Sequence, residues 1–316
     1  MENPYKTINI QALCAGEALI DLVSNPSGEL TPCLGGSVYN LARALALQGV
    51  STAYLNPLSK DLYGQRLRQG LQTAHVVVLE SEAAMASTSL AIVNLDLQGK
   101  ANYAFYREGI ADRQTDATRL NALSQNMEHA IVCTGCLALG PDDAATYLPW
   151  LIEQKRLGKK IVIDVNARAT VMKDEEAYKA NIHNALQHAD IIKVSDDDLF
   201  FLNLSAQELL TKTEAQMVVL TLGSQGACLL TRQGTCLTSK EGRALQVVDT
   251  VGAGDCFLGA FLAYLLKHNW AGCLEPLQLQ AALDHAVRSA SINVERQGCQ
   301  PATWEESLAL TLQARS

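Results

Sequence analysis

Short apolar runs of strand length alternate in this chain with segments whose apolar side chains recur at helical spacing. The strand-length runs cover residues 8–15, 131–133, 161–164, 191–194 and 217–220. The helical segments cover residues 38–45, 142–156, 175–188, 255–268 and 277–296, with a short one after Trp304. A helix between two strands returns the chain to the same edge of a sheet, so the strands run parallel. The alternation therefore predicts an α/β/α sandwich of three layers around a mainly parallel sheet.

Two segments interrupt this alternation. Residues 17–34 are short, partly apolar and rich in turn formers, with Asn, Pro, Ser and Gly at 25–28. Residues 88–107 alternate apolar and polar side chains around Gln98 and Gly99, which is typical of a hairpin. We expect both segments to form antiparallel strands of one small lid sheet, inserted into a single domain that spans residues 1–316.

The composition excludes several classes of protein. Apolar residues make up 48% of the 316 residues, and the net charge is -8 without any long run of Lys and Arg. Binding to nucleic acid or to an anionic membrane is therefore not expected. The first residues lack the basic and apolar regions of a secretory signal. Nine scattered cysteines favour a reduced, cytoplasmic protein over a disulfide framework.

The string DTVGAGD at residues 249–255 is the strongest chemical signal in the chain. Its glycines flank Ala253, and an apolar helix follows. The backbone N–H groups of such a turn, together with the helix N-terminus, stabilise a phosphate or the charge on a transferred phosphoryl group. The carboxylate of Asp255 in the same turn is suited to accept a proton from an attacking hydroxyl. The plain alternative is a glycine turn in which Asp255 only caps the helix.

Other phosphate and metal motifs are missing or incomplete. Phe257 stands near where a dinucleotide fingerprint needs its third glycine, and no GK[ST] triplet of a P-loop occurs. The HRD and DFG strings of protein kinases are also missing. Cys133 and Cys136 have the spacing of a metal or redox pair, but no second pair accompanies them, and we interpret them as structural.

Two long strings resemble a known family. Residues 249–265, DTVGAGDCFLGAFLAYL, closely resemble the C-terminal signature of the ribokinase/pfkB sugar kinases, and residues 35–49, GGSVYNLARALALQG, resemble their N-terminal signature. Further strings follow the family order: GEALIDL at 16–22, FYREGIADR at 105–113, DVNAR at 164–168, KVSDDDL at 193–199 and TLGSQG at 221–226. Several of them look most like bacterial fructokinases. The resemblance implies a ribokinase-like sandwich with a small β-sheet lid.

The resemblance also implies roles for individual residues around the sugar. Asp255 matches the general base, and Gly252, Ala253 and Gly254 match the anion hole. The sugar side is matched by Asp21, Gly35, Gly36, Asn40 and Arg107. Acidic and amide side chains pair with sugar hydroxyls, and glycines allow close backbone approach. For Arg107, which the resemblance places in the sugar site, the alternative is a surface ion pair with Glu108.

The remaining matches lie on the nucleotide side and at a cation site. Those on the nucleotide side are Asn166, Arg168, Lys193, Thr221, Gly223 and Gly226, with Arg168 on phosphate oxygens. A monovalent cation, K⁺, is implied beside Asp249, Val251, Asn293, Arg296 and Gly298. Where many ribokinases have Asn-x-x-Glu, this chain has Ser195 and Asp198, so Asp198 is the candidate oxygen donor for hydrated Mg²⁺.

The expected function is transfer of a phosphoryl group from ATP, with Mg²⁺, to a hydroxyl of a small sugar, with D-fructose preferred. A ribokinase or a 2-keto-3-deoxygluconate kinase of the same family remains an alternative. A non-catalytic sugar-binding regulator and a nicotinamide dehydrogenase are alternatives from other classes. The expected partners are a sugar and ATP, with a second copy of the chain pairing through the lid strands.

Overall fold

The computed structural model describes most of the chain. The described residues are 9–24, 28–95, 101–125, 127, 130–169, 172–240, 244, 246–269 and 275–313. The turns expected at Asn25–Ser27 and at Gln98–Gly99 lie outside them.

The described residues form thirteen strands and ten α-helices. The strands are β1 (Ala12–Cys14), β2 (Leu19–Ser24), β3 (Leu30–Gly35), β4 (Thr52–Tyr54), β5 (Val77–Val78), β6 (Ser89–Leu95), β7 (Ala101–Tyr106), β8 (Ile131–Gly135), β9 (Lys160–Asp164), β10 (Ile191–Ser195), β11 (Met217–Thr221), β12 (Ala227–Thr231) and β13 (Cys236–Ser239). The helices are α1 (Ser37–Leu47), α2 (Leu62–Thr73), α3 (Ala117–Ser124), α4 (Ala144–Arg156), α5 (Glu175–Leu186), α6 (Asp196–Leu202), α7 (Ala206–Lys212), α8 (Ala253–Lys267), α9 (Pro276–Val294) and α10 (Trp304–Gln313).

The main sheet has nine strands in the order β13-β12-β11-β10-β9-β8-β1-β4-β5. All neighbouring pairs from β5 to β11 are parallel, and β12 and β13 add an antiparallel edge. The predicted mainly parallel sheet is confirmed. The first predicted strand, over residues 8–15, is shorter than expected and covers Ala12–Cys14.

Alternation along the central strands produces two hydrophobic cores, one on each face of the main sheet. In β8, Ile131 and Cys133 belong to the core covered by α1, α2, α8 and α9, whereas Val132 belongs to the core that includes residues of α4, α5 and α7. Successive side chains of a strand point to opposite faces, so a strand buried on both sides is apolar throughout. The three layers are therefore confirmed. Among the described helices, none is both long and apolar enough to cross a membrane.

A second sheet has four strands in the order β3-β2-β6-β7. The pairs β2–β3 and β6–β7 are antiparallel, as the sequence patterns predicted. The central pair, β2–β6, is parallel, which was not expected. The chain returns to the main sheet between β3 and β6 and forms α1, β4, α2 and β5 there. That long connection permits parallel pairing, whereas a tight hairpin does not.

The parallel strands bring polar residues to one edge of the main sheet. Gly135 pairs in register with Asp164, and Ser195 pairs with Thr221, each at the carboxyl end of its strand. Ligands of open α/β sheets bind outside the carboxyl ends of the strands. This edge therefore locates the candidate site.

Candidate active site

The turn before α8 gives the site its backbone donors. Gly252 caps the helix with φ at 73°, a left-handed conformation that favours glycine. The first N–H groups of a helix have no acceptor within the helix, so those of Gly254 and Asp255 remain available to an anion. The side chain of Cys299 packs so closely against Gly252 that a Cβ at this position would overlap the Cys299 sulfur. Both conformation and packing thus require glycine here.

Asp255 lies in the first turn of α8 and is held by two side chains of α1. Ser37 Oγ donates to its Oδ1 at 2.7 Å, and Asn40 Nδ2 donates to its Oδ2 at 3.0 Å. Asn166 Nδ2 donates in turn to Ser37 Oγ at 2.9 Å. Burial raises the pKa of the Asp255 carboxyl, although these hydrogen bonds and the charge of Lys193 partly offset it. The result is an oriented carboxylate with increased proton affinity.

Asp21 lies in β2 of the small sheet, opposite Asp255. Its carboxylate occupies the space that a side chain at Gly35 would need, because a Cβ there would overlap Asp21 Oδ2. Gly36, with φ at 102°, begins α1 and leaves no space for a Cβ against the Glu17 carbonyl. Burial raises the pKa of Asp21 to about 7. The two glycines therefore let a buried carboxylate and a helix start meet within one turn.

Arg168 is the cation between these two carboxylates. Its guanidinium carbon lies 5.4 Å from the centre of the Tyr103 ring in β7. Its charge lowers the pKa of both Asp21 and Asp255. Arg168 thus contacts the small sheet at Tyr103 and lines the same cleft as the carboxylate of Asp255.

Lys193 and Asp164 form a buried ion pair behind the anion-hole turn. Their Nζ and Oδ1 atoms are 3.0 Å apart. Burial opposes the charge of Lys193, but the neighbouring carboxylates, first of all Asp164, together raise its pKa. A Cβ at Gly254 would lie 2.9 Å from Lys193 Nζ. Lys193 therefore places positive charge directly beside the turn.

Both carboxylate oxygens of Asp198 accept hydrogen bonds from the protein. Its Oδ1 accepts from the Ala167 N–H at 2.7 Å, and its Oδ2 accepts from the backbone and hydroxyl of Ser195. These bonds make Ser195 and Asp198 a capping box for α6. In contrast, Asp164 Oδ2 is buried without a hydrogen-bond partner among the described residues. The donor set at this edge fits a hydrated Mg²⁺ bound mainly through phosphates, with Asp164 and Asp198 as candidate protein oxygens.

The other predicted nucleotide residues lie farther along the same edge. Thr221 ends β11, and Gly223 and Gly226 bound the one-turn helix that follows it. Both glycines have positive φ, and a Cβ at Gly226 would overlap the Ser239 carbonyl. They do not line the cleft around Asp255. They form a separate, more exposed turn on the same side of the sheet.

The predicted cation residues tie the start of the glycine turn to the end of α9. Asp249 accepts from the Val251 N–H at 2.9 Å and from the Gly298 N–H at 2.8 Å. Asn293 Nδ2 donates to the Val251 carbonyl at 2.9 Å. The Arg296 side chain instead pairs with Glu306 of α10. The predicted site therefore gathers the Asp249 carboxylate and the Val251 carbonyl.

Arg107 does not reach the cleft. Its guanidinium pairs with Asp112 at 3.4 Å and with Asp143 at 3.2 Å, and its side chain is 12% exposed. Its charge lowers the pKa of Glu17, which does line the cleft. The ion pair therefore involves buried carboxylates and not Glu108, and the charge of Arg107 acts on the cleft through Glu17.

A cleft of about 60 Å³ joins the predicted groups. The predicted residues that line it are Asp21, Gly36, Asn40, Asn166, Arg168, Val251, Gly252 and Asp255. Leu19, Tyr103 and Phe105 of the small sheet close its other side. The cleft thus lies between the two sheets.

Two polar residues of the cleft had been missed. Ser37 orients Asp255, and Glu17 is buried with Oε2 unpartnered among the described residues. Burial raises the pKa of Glu17 to about 7, although Arg107 opposes the shift. Both lie beside residues that the sequence had indicated, within GEALIDL and GGSVYN, and that adjacency was the available signal.

Comparison with known proteins gives consistent results. The family described as pfkB family carbohydrate kinase matches residues 9–306. A fructokinase of Rhizobium leguminosarum bv. trifolii is 32% identical over 266 residues, which cover 81% of this chain and 80% of that protein.

Solved structures share the fold. A fructokinase of Xylella fastidiosa with bound ATP superposes with a TM-score of 0.83 at 24% identity, covering 97% of this chain and 99% of the other. An aminoimidazole riboside kinase of Salmonella enterica, complexed with aminoimidazole riboside and an ATP analogue, superposes with a TM-score of 0.79 at 23% identity, covering 95% and 99%. At these identities the superpositions establish the fold alone.

Proposed function

The chain belongs to the pfkB family of carbohydrate kinases, and on this premise we propose that it phosphorylates D-fructose with Asp255 as the general base. The observation that carries the proposal is the position of Asp255. Its carboxylate is buried, oriented by Ser37 and Asn40, and adjacent to the free N–H groups that begin α8. A sugar-binding protein without catalysis has no need for a base at this place.

In the proposed reaction, a sugar hydroxyl oxygen bonds to the γ-phosphorus of ATP as the bond to the ADP oxygen breaks. Asp255 accepts the hydroxyl proton. The carboxylate must be ionised to do so, and its pKa is raised by burial. The rate should therefore rise with pH through that pKa. Ser37 and Asn40 hold the two carboxylate oxygens, so that the lone pair toward the sugar keeps its direction.

The transferred group carries negative charge, and this chain supplies positive charge on several sides. The first N–H groups of α8, the guanidinium of Arg168 and the ammonium of Lys193 surround the turn. When bound, Mg²⁺ would neutralise the phosphates of ATP, and Asp164 and Asp198 are the carboxylates that could hold its water shell. The turn from Thr221 to Gly226 is assigned to the ribose and phosphates.

The sugar is assigned to the side of the cleft formed by the small sheet. Asp21 offers a carboxylate, and Asn40 Oδ1 is a buried acceptor without a partner among the described residues. A cleft of about 60 Å³ is well below the ~300 Å³ or more of small-molecule sites. We infer that the small sheet moves outward to admit the sugar and closes for reaction, which excludes water that would otherwise hydrolyse ATP.

The preference for fructose is supported by the relatives and by the strings FYREGIADR and GEALIDL. One protein named fructokinase, from Rhizobium leguminosarum bv. trifolii, is 32% identical over 81% of the chain, which is above the identities of the solved structures described. An aminoimidazole riboside kinase shares the fold, so the fold by itself does not select the sugar.

The test is ADP release by purified protein with Mg-ATP and, in turn, fructose, ribose, glucose and 2-keto-3-deoxygluconate. Fructose should give the highest kcat/KM. Asp255→Asn keeps the shape of the side chain and should lower kcat by at least about 10²-fold while ATP binding is unchanged. A variant with wild-type kcat would remove Asp255 from the mechanism. If another sugar is used best, the fructose assignment is wrong although the kinase assignment holds.

We also propose that K⁺ binds between Asp249, the Val251 carbonyl and the segment that ends α9. The two carboxylate oxygens of Asp249 each accept one backbone N–H, which leaves lone pairs for a cation. Bound K⁺ would favour one conformation of the glycine turn. Thermal unfolding in K⁺ against choline at equal ionic strength tests this without catalysis. K⁺ should raise the Tm of the wild type but not of Asp249→Ala, and equal Tm values in both salts would exclude the site.

A further inference from the structure

A second cavity lies outside the cleft, between α1, α2 and the last residues of β3. Its volume is about 340 Å³, within the range of small-molecule sites. Leu34 and Leu47 form apolar parts of its wall, and Gln69 and Thr73 are exposed along it. None of the residues assigned to the sugar, to ATP or to a cation lines it. The reaction described above therefore leaves this cavity without a role.

The charge of this cavity is opposite to that of the protein. Two of its lining residues are arginines, Arg43 of α1 and Arg66 of α2, and none is acidic. The whole chain carries a net charge of -8. Two guanidinium groups that face one space without a carboxylate repel each other, so an anion between them is favoured.

Both arginines are already held in place by neutral groups. Arg43 donates to the Cys299 carbonyl at 3.1 Å, and its guanidinium carbon lies 5.6 Å from the centre of the Tyr39 ring. Arg66 contacts the Pro32 carbonyl at 3.4 Å and lies over the Tyr63 ring. Carbonyls and rings fix the direction of the arginines but leave their charge uncompensated. The groups are thus oriented before a ligand binds, which lowers the entropy cost of binding.

One donor of a residue that lines this cavity has no acceptor among the described residues. Arg43 Nε is buried and makes no hydrogen bond to any described residue. A buried N–H without a partner costs on the order of 1–3 kcal/mol, and native structures usually avoid it. A ligand that draws the Arg43 guanidinium toward the cavity would give this donor an oxygen acceptor. The unpartnered Nε therefore points to an oxygen-rich anion.

We propose that this cavity binds a small molecule through a phosphate group. A phosphate dianion matches the charge of two arginines, and its oxygens match the forked donors of guanidinium groups. Gln69 and Thr73 offer amide and hydroxyl groups to the rest of the ligand. The volume leaves space for a group of about the size of a monosaccharide beside the phosphate.

Contacts lead from this cavity to the anion-hole turn. Arg43 holds the carbonyl of Cys299, and the sulfur of Cys299 packs against Gly252. The neighbouring Gly298 N–H binds Asp249. A ligand that engages Arg43 changes its hold on this loop and so the conformation of the turn. Occupancy of the cavity is therefore coupled to phosphoryl transfer, by the same free energy in both directions for binding.

The test measures binding of inorganic phosphate and of glucose 6-phosphate by calorimetry. The full-length protein is saturated with Mg²⁺ and a non-hydrolysable ATP analogue, so that the active-site phosphate positions are filled. Arg66→Ala should weaken binding at least about 10-fold, because one of two charged partners is lost. Arg68→Ala is the matched control, since Arg68 lies on the same helix and outside the cavity. Tighter binding of glucose 6-phosphate would identify a sugar phosphate, and equal binding would identify phosphate itself.

Two results would overturn the proposal. One is binding that the ATP analogue abolishes, because the anion then occupies the active site. The other is equal affinity in the wild type and Arg66→Ala. Coupling is measured as kcat at saturating substrates with and without the anion, and a change of at least about 3-fold is expected in the wild type but not in Arg66→Ala. Because binding is measured without turnover, its result does not depend on which sugar the enzyme phosphorylates.

Discussion

The cleft at Asp255 and the cavity between α1 and α2 share a wall but have opposite chemistry. The cleft is lined by three buried carboxylates, Glu17, Asp21 and Asp255, each with a raised pKa. The cavity is larger, about 340 Å³ against about 60 Å³, and has arginines without carboxylates. Burial of like charges favours proton uptake in the cleft, whereas uncompensated cations favour binding of an anion in the cavity.

The difference shows how one helix serves two purposes. On α1, Ser37 and Asn40 hold the base Asp255, and Arg43 lies one turn farther along and faces the cavity. The buried carboxylates of the cleft require nearby cations to keep the folded state stable, whereas solvent can compensate the charge of the arginines of the cavity. Substitutions of arginine should therefore have very unequal costs in the two places.

Arg107→Ala should have the largest effect on stability. It leaves Asp112 buried without its cation, whereas Asp143 keeps its ion pair with Arg113, and removal of one partner from a buried pair costs about 3 kcal/mol. Arg66→Ala in the cavity should cost less than about 1 kcal/mol, because Arg66 forms no ion pair with a carboxylate of the described residues. Urea unfolding of both variants measures the difference, and equal free energies of unfolding would mean that Arg107 does not compensate those carboxylates.

The carboxylates of the cleft should also make stability depend on pH. Asp21 has a folded-state pKa of about 7, above its ordinary 3.8, so the folded state binds more protons. Its contribution is fully present below about pH 4 and is lost as the pH rises through about 7, on the order of 2 kcal/mol between pH 5 and 8. Asp21→Asn should reduce this decline in stability with pH. Part of the decline should remain, because the pKa of Glu17 is also raised. Urea unfolding of both proteins at several pH values checks it, and identical slopes would contradict the raised pKa.

Two glycine substitutions, one beside the cleft and one beside the cavity, should have the smallest and most local effects. A Cβ in Gly35→Ala would displace the Asp21 carboxylate, and we expect kcat/KM for the sugar to fall about 10-fold, or ~1.4 kcal/mol. A Cβ in Gly70→Ala would press instead on the Tyr39 hydroxyl beside Arg43, and should alter anion binding with little change in sugar kinetics. Steady-state kinetics and phosphate calorimetry on both variants separate the two walls. A loss of sugar use in Gly70→Ala alone would reverse their assignment.

Local patterns were enough to predict the layers of the fold. Strand-length apolar runs such as Ile161–Ile163 are buried on both faces of the sheet. A glycine turn ahead of an apolar helix can likewise be recognised from the local sequence alone. The parallel pairing of β2 with β6 was not predictable in this way, because it joins two hairpins separated by four other elements.

The site was predicted less completely, since its contacts are distant in sequence. The hydrogen bond between Ser37 and Asp255 spans 218 residues, and no local pattern distinguishes Ser37 from any other serine at a helix start. Arg107 was expected at the sugar because of its string, but its partners Asp112 and Asp143 are common surface residue types whose burial only the fold creates. The assigned roles of the site residues stay predictions until the variants are measured.

The small sheet is connected to the rest of the molecule by four chain segments, before β2, after β3, before β6 and after β7. In mechanical terms it is a plate on four tethers and not a flap on one hinge. Rotation in most directions would stretch at least one tether, so a short tilt along one axis is the least costly motion. A plate of this kind loses little conformational entropy when it closes, because most of its freedom was already lost on folding. Closure can then be driven by the few contacts that a molecule as small as a sugar provides.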